Sequence, residues 1–194
     1  PALRPAGANY QSCEEHIKDV RQTYTEDVKD GLVIGPLTEL EARRTCNSDM
    51  LLHGALGAQD EYKTLPDGSR TMDKNRTLHD GTAVGANARI RANLSGRTIS
   101  PSVHEAVYAM RHSHQRQELR LGLAIWDVTK AHRQCKLQRK DWRYVTAKLS
   151  PNEVYINKVG TYGMASAQWW WGSQGAALHR IVFNFFHADP ALFG

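Results

Sequence analysis

Leu121-Gly122-Leu123-Ala124-Ile125-Trp126-Asp127, running on into Val128-Thr129-Lys130-Ala131-His132-Arg133, is the stretch on which the reading of this 194-residue chain turns. A short, continuous apolar run bounded by polar residues reads as a buried strand. This one ends in a lone carboxylate and passes straight into a basic segment, which sets Asp127 at a sheet edge where it can face a cation. A strand-terminal Asp also serves as an ordinary cap or turn residue. A two-metal phosphoryl-transfer site needs further carboxylates to hold cations about 3.5–4 Å apart. Nothing after Asp127 clearly supplies that partner, and Asp189 is followed directly by Pro190, which argues against a strand ligand.

Working outward, Val145–Leu149 and Val154–Val159 read as two more strands joined by the Ser150-Pro151-Asn152 turn. Small residues from Met164 to Ala177 open a final helix that breaks by Pro190. Within it Trp169, Trp170 and Trp171 cannot share one face, and Trp170 is expected in the core. Upstream, Ser100-Pro101 opens a helix with Val103, Ala106, Val107 and Met110 on one side. Pro66-Asp67-Gly68 is a turn between residues 58–64 and 70–80, predicting a polar, exposed hairpin. Nearer the N-terminus, Ser12-Cys13-Glu14-Glu15 has the form of a capping box ahead of Ile17, Val20, Tyr24 and Val28 at helical spacing, with Gly31 as the stop. Thr38-Glu39-Leu40-Glu41 repeats the signal for a shorter helix ending near Arg44. Helices, a hairpin, a helix, then strands and a helix predict an α+β domain.

Composition bounds the function. Forty-one per cent hydrophobic and 23% charged residues are ordinary for a globular protein. No run of 18 apolar residues and no basic-then-apolar leader is present, so neither a membrane helix nor secretion is indicated and an intracellular place, cytoplasm or nucleus, is expected. Pro1 and Phe193-Gly194 read as cuts in a longer polypeptide. Cys13, Cys46 and Cys135 are odd in number and far apart, which argues against a zinc site or a disulfide framework and for a reducing compartment. A net charge of +5 points toward polyanions. The excess concentrates in residues 111–148, where ten Lys and Arg face Glu118, Asp127 and Asp141. An ordinary solvated basic surface would look the same.

Two further segments carry chemistry. Lys63, Arg70, Lys74 and Arg76 line the hairpin and could fold over a triphosphate, Arg giving bidentate phosphate contacts and Lys a mobile point charge. Asp80, four residues after Arg76, could pair with a neighbouring base. A charged surface hairpin is the plainer reading. In Val159-Gly160-Thr161-Tyr162-Gly163, two glycines bracket an aromatic, so backbone can approach a ligand closely and the ring can stack on a base or sugar. This is neither a Walker loop nor a dinucleotide fingerprint. His112-Ser113-His114 is a weak metal-like pair.

In their order and spacing, these segments resemble retroelement reverse transcriptases, in particular divergent reading frames with His-Asp-Gly-Thr in the fingers and Val-Gly-Thr-Tyr/Phe-Gly in the palm. The likeness spans roughly residues 10–194. It implies an α+β, reverse-transcriptase-like fingers and partial palm, an antiparallel sheet with packed helices that stops before the Asp-Asp hairpin. Residues 1–57 would be the N-terminal helical part of the fingers, 58–120 the fingers hairpin and connecting helix, and 121–194 the partial palm. It further implies an RNA-directed DNA polymerase acting on an RNA or DNA template-primer and a deoxynucleoside triphosphate, with a two-metal Mg2+ site that is incomplete in this chain. Lys63 and Arg76 would grip the triphosphate, Arg76 and Asp80 matching the family's Arg-x-x-x-Asp. Asp127 would be the first catalytic carboxylate, with Val128 offering a carbonyl to metal. His132 falls where the family has an aromatic gate against the 2′-hydroxyl. Thr161, Tyr162 and Gly163 match a Pro-x-Gly element, with Thr161 in place of Pro. A non-catalytic remnant that binds nucleic acid or serves as an interaction module is the alternative.

Overall fold

The computed structural model describes residues 2–94, 104, 107, 108, 111 and 128–186. The strand expected over 121–127 with Asp127, the start of the helix expected at Ser100-Pro101, His112, His114, Asp189 and Pro190 lie outside these residues, while His104, Val107, Tyr108 and Arg111 of that expected helix are helical.

Val154, Tyr155 and Ile156 decide the architecture, because all three are buried although successive strand residues point to opposite faces. Their strand, β5 (Glu153–Asn157), must therefore be covered on both sides. On one side Tyr155 joins Cys13, Val20, Tyr24, Leu56 and Ala147 in a cluster. Its ring stacks on Tyr24 with centroids 4.4 Å apart. Val20 and Tyr24 belong to helix α2 (Ile17–Lys29), reached through a short helix α1 (Gln11–Glu15). On the other side Val154 and Ile156 pack against Ala42 and Cys46 of helix α3 (Glu39–Cys46). Thr38 caps α3 with the predicted capping box, Asn47 closes it in the left-handed conformation, and the helix runs two residues past Arg44.

The remaining strands are β1 (Val33–Leu37), β2 (His53–Thr64), β3 (Arg70–Asp80) and β4 (Thr146–Ser150). Their order in the sheet is β1-β5-β4-β2-β3. The pairings are antiparallel except β2 with β4, which run parallel over two residue pairs, His53 with Thr146 and Gly54 with Ala147. The sheet is therefore mixed, not purely antiparallel as expected, since the hairpin joins the β4–β5 layer only at its root. Beyond that root β2 and β3 extend as a two-stranded arm turned at Pro66-Asp67-Gly68, as predicted, with Gly68 at φ +84° and the Asp67 carboxylate accepting from the Ser69 amide at 2.9 Å.

A second cluster, Leu52, Val84, Ala86, Val145, Met164 and Ala167, ties the hairpin root to α4 (Ala86–Asn93) and to the long helix α5 (Ala165–Phe186). Several readings change. Ser12 does not cap a helix: its hydroxyl accepts from the Ala58 amide at 3.2 Å, and α1 breaks before α2 at His16. Trp170 is half exposed instead of core, with its ring edge-on to Trp169. The three cysteines are free and buried. No helix among the described residues is long and apolar enough to cross a membrane.

Candidate functional site

β3 is an edge strand, and an unpaired edge must be covered or charged. Here a single backbone bond does part of the covering: the His79 amide donates to the Tyr162 carbonyl at 2.9 Å. That contact demands glycine next door, since Gly163 has φ +97° and a Cβ there would stand 2.3 Å from the His79 carbonyl oxygen. The loop after β5 is thus pressed against the hairpin, and a cleft of about 670 Å3 opens between them. Its walls come from α2, the stretch of β3 from Lys74 to His79, residues 128–133, the loop at Thr161-Tyr162 and Trp171 of α5.

Segment 128–133 is held from beneath. Lys130 takes a left-handed conformation that starts a 3-10 turn, Ala131–Gln134. Arg133, 6% exposed, donates to Asp27 of α2, to the Asn157 amide oxygen at 2.8 Å and to the Gly160 carbonyl at 3.3 Å. Lys130 adds a second cation to Asp27 at 3.1 Å and reaches Asp30 at 2.8 Å. Three elements are therefore clamped through one guanidinium, and each contributes to the cleft wall.

Within the cleft the Arg76 guanidinium lies 5.0 Å from the Tyr162 ring centroid, and the His132 ring lies 5.2 Å from it at a 45° tilt. Burial and the nearby Arg76 charge hold His132 below the ordinary imidazole pKa, which keeps it neutral. Buried His79 is likewise depressed, chiefly by desolvation. Among the described residues, Asn75 Oδ1, Thr77 Oγ1, His79 Nδ1, His132 Nδ1 and Thr161 Oγ1 are buried without a hydrogen-bond partner, and all five residues line this cleft. Buried polar atoms are normally satisfied, so this concentration sets the cleft wall apart among the described residues. The orphan atoms carry no sequence signal, because only their convergence distinguishes them.

Of the residues singled out in the sequence, Arg76, Val128, His132, Thr161 and Tyr162 come together here. Asp80 and Gly163 instead line a neighbouring cleft of about 460 Å3 with Tyr10, Asn87 and Arg91. Among the described residues Asp80 pairs with no base: it accepts from the Tyr10 hydroxyl at 2.5 Å and from the Thr82 and Ala83 amides at 2.7 and 3.1 Å. Burial raises its pKa, but those hydrogen bonds outweigh burial and hold the carboxyl low. Lys63 sits on the arm away from the larger cleft, 3.1 Å from Asp73. Asp127 lies outside the described residues.

Among the described residues no three His, Cys, Asp or Glu converge on one point. In the cleft wall Asp27 is taken by two cations, and Glu26 accepts from Gln22 at 3.0 Å. Searches of protein-family models, curated proteins and solved structures find no match to this chain.

Proposed function

We propose that the chain is the fingers and first part of the palm of an RNA-directed DNA polymerase, and that the larger cleft receives the incoming deoxynucleoside triphosphate beside an RNA or DNA template-primer. The observation that carries this reading is the convergence of Arg76, Val128, His132, Thr161 and Tyr162, drawn from three separate segments, around one cavity. Its volume of about 670 Å3 suits a ligand of nucleotide size. In this reading Arg76 takes phosphate oxygens, the Tyr162 ring supports base or sugar, and neutral His132 and the unpaired Thr161 hydroxyl face the sugar. Magnesium belongs to the same proposal: Asp127 and the Val128 carbonyl would hold it, and the ion would neutralise charge at the departing pyrophosphate. A non-catalytic nucleic-acid-binding module is the second reading, favoured by the absence, among the described residues, of any group of three metal-ligating side chains.

Calorimetric titration of a deoxynucleoside triphosphate into the chain tests the first half of the reading. Arg76→Ala should weaken binding about 10- to 150-fold, the worth of charge-assisted hydrogen bonds to phosphate. No binding to the wild-type chain, or equal binding by the variant, would refute it. Primer extension by the parent polypeptide separates the two readings, since Asp127→Ala should abolish extension in a polymerase and change nothing in a remnant.

A further inference from the structure

The basic arm carries its own anions. Glu61 on β2 faces Lys74 across the strand pair, and its carboxylate lies 2.7 Å from the Arg76 guanidinium and 3.5 Å from the Lys74 ammonium. The position follows from the unbroken register that runs from Ala55 with Asp80 to Glu61 with Lys74; just beyond it Tyr62 pairs with Met72, so Asp73 is the extra residue of a bulge. Bulges re-aim the side chains beside them. Beside the bulge Asp73 pairs with Lys63, while Glu61 stands opposite Lys74 and Arg76, two of the four cations that line the cleft.

We propose that Glu61 is an internal stand-in for a ligand phosphate, pairing with Arg76 and Lys74 until a triphosphate displaces it; this rests on the reading of the cleft as a nucleotide site. A carboxylate and a phosphoryl oxygen present the same acceptor to a guanidinium. Glu61 holds Arg76 beside the Tyr162 ring as one half of an ion pair, so an incoming anion meets a guanidinium that already has a partner. Displacement is cheap, because both partners are about one-third exposed (33% and 37%) and the released carboxylate turns back to water. A polyanion with several charges outcompetes it, whereas a singly charged anion gains little by the exchange.

Binding of inorganic tripolyphosphate and of a deoxynucleoside triphosphate is measured at low salt for wild type, Glu61→Gln, Asp73→Asn, Arg76→Ala and the Glu61→Gln/Arg76→Ala pair. Glu61→Gln should tighten both ligands about two- to five-fold, the range of an exposed ion pair. The gain should vanish in the Arg76→Ala background. Asp73→Asn removes the same charge away from the cleft and should leave both affinities unchanged. Unaltered or weaker binding by Glu61→Gln, or an equal gain with Asp73→Asn, overturns the stand-in while leaving the nucleotide reading intact. If neither wild type nor Glu61→Gln binds either ligand, both ideas fall.

Discussion

Arg133→Met should be among the most damaging single changes in this chain, and its size can be worked from its partners. The guanidinium is 6% exposed and satisfies three acceptors on three elements: Asp27, 7% exposed, the Asn157 side chain and the Gly160 carbonyl. Methionine keeps the apolar stem and supplies no donor. Asp27 would retain Lys130 at 3.1 Å, so the charge is not wholly abandoned. Breaking a buried pair by removing one partner costs about 3–5 kcal/mol. With Lys130 remaining, the expected loss is near the lower end, about 3 kcal/mol, a large part of the roughly 5–15 kcal/mol that holds a typical domain together. Urea denaturation followed by circular dichroism measures it. Arg133→Lys should recover only part of the loss, because an ammonium cannot span the three acceptors as the planar fork does. In a cycle with Asp27→Asn, the double variant should lose less than the sum of the singles by about 0.5–3 kcal/mol. A single-variant loss under about 1 kcal/mol, or strict additivity, would refute the clamp.

Two other outcomes follow from the same geometry. His79 and His132 are neutral in the fold and have depressed pKa values, so the unfolded chain binds more protons once pH drops below the ordinary imidazole range. Stability should be level above about pH 6.5 and fall below it by no more than about 1.4 kcal/mol per pH unit per histidine; a flat urea midpoint from pH 7.5 to 5 contradicts this. Gly163→Ala and Gly68→Ala both force a side chain into positive φ, at about 1–2 kcal/mol. Only the first also drives a Cβ to 2.3 Å from the His79 carbonyl, so its melting temperature should fall clearly further than that of Gly68→Ala, which meets open space. Equal losses would mean that the loop–hairpin contact is loose.

The sequence was legible where one local signal sufficed. Thr38 and Glu41 announce α3 because a capping box is a contact within four residues, and Pro66-Asp67-Gly68 announces the hairpin because the turn is set by its own dihedrals. Ser12 carries the same signal as Thr38 and misleads, since its hydroxyl is claimed by Ala58, 46 residues away. Strand β1 was not read, because Val33-Ile34-Gly35-Pro36-Leu37 contains two strand-averse residues, tolerated where pairing with β5 is broken by an irregularity between Ile34 and Leu37. Helix α4 escaped because its weakly apolar residues form no stripe, while Asn87 acts over distance, donating to the Gly163 carbonyl at 2.7 Å and accepting from the Ala165 amide at 2.8 Å. For the site, residue types at Arg76, His132 and Tyr162 were readable; the Asp27–Arg133 clamp and the Glu61 contact were not, because they depend on which elements meet.

Edge protection and cleft formation are one event in this fold. A long two-stranded arm attached to its sheet by two residue pairs cannot be held by ladder bonds at its root alone. The Tyr162 carbonyl on the His79 amide supplies a second anchor, and it requires the loop after β5 to lie flat against β3. Once the loop lies there, the Tyr162 ring is carried under Arg76 and beside His132, and Thr161 is buried with its hydroxyl unpaired. Arg133 fixes the other end of that loop at Gly160 and the turn that bears His132. The cationic, ring-lined cavity is therefore a consequence of how the arm is fastened, and the unpaired polar atoms in it are the part that fastening does not explain. That residue of unexplained polarity, together with a glutamate positioned on Arg76 and Lys74, sets the cleft wall apart from the rest of the charged arm.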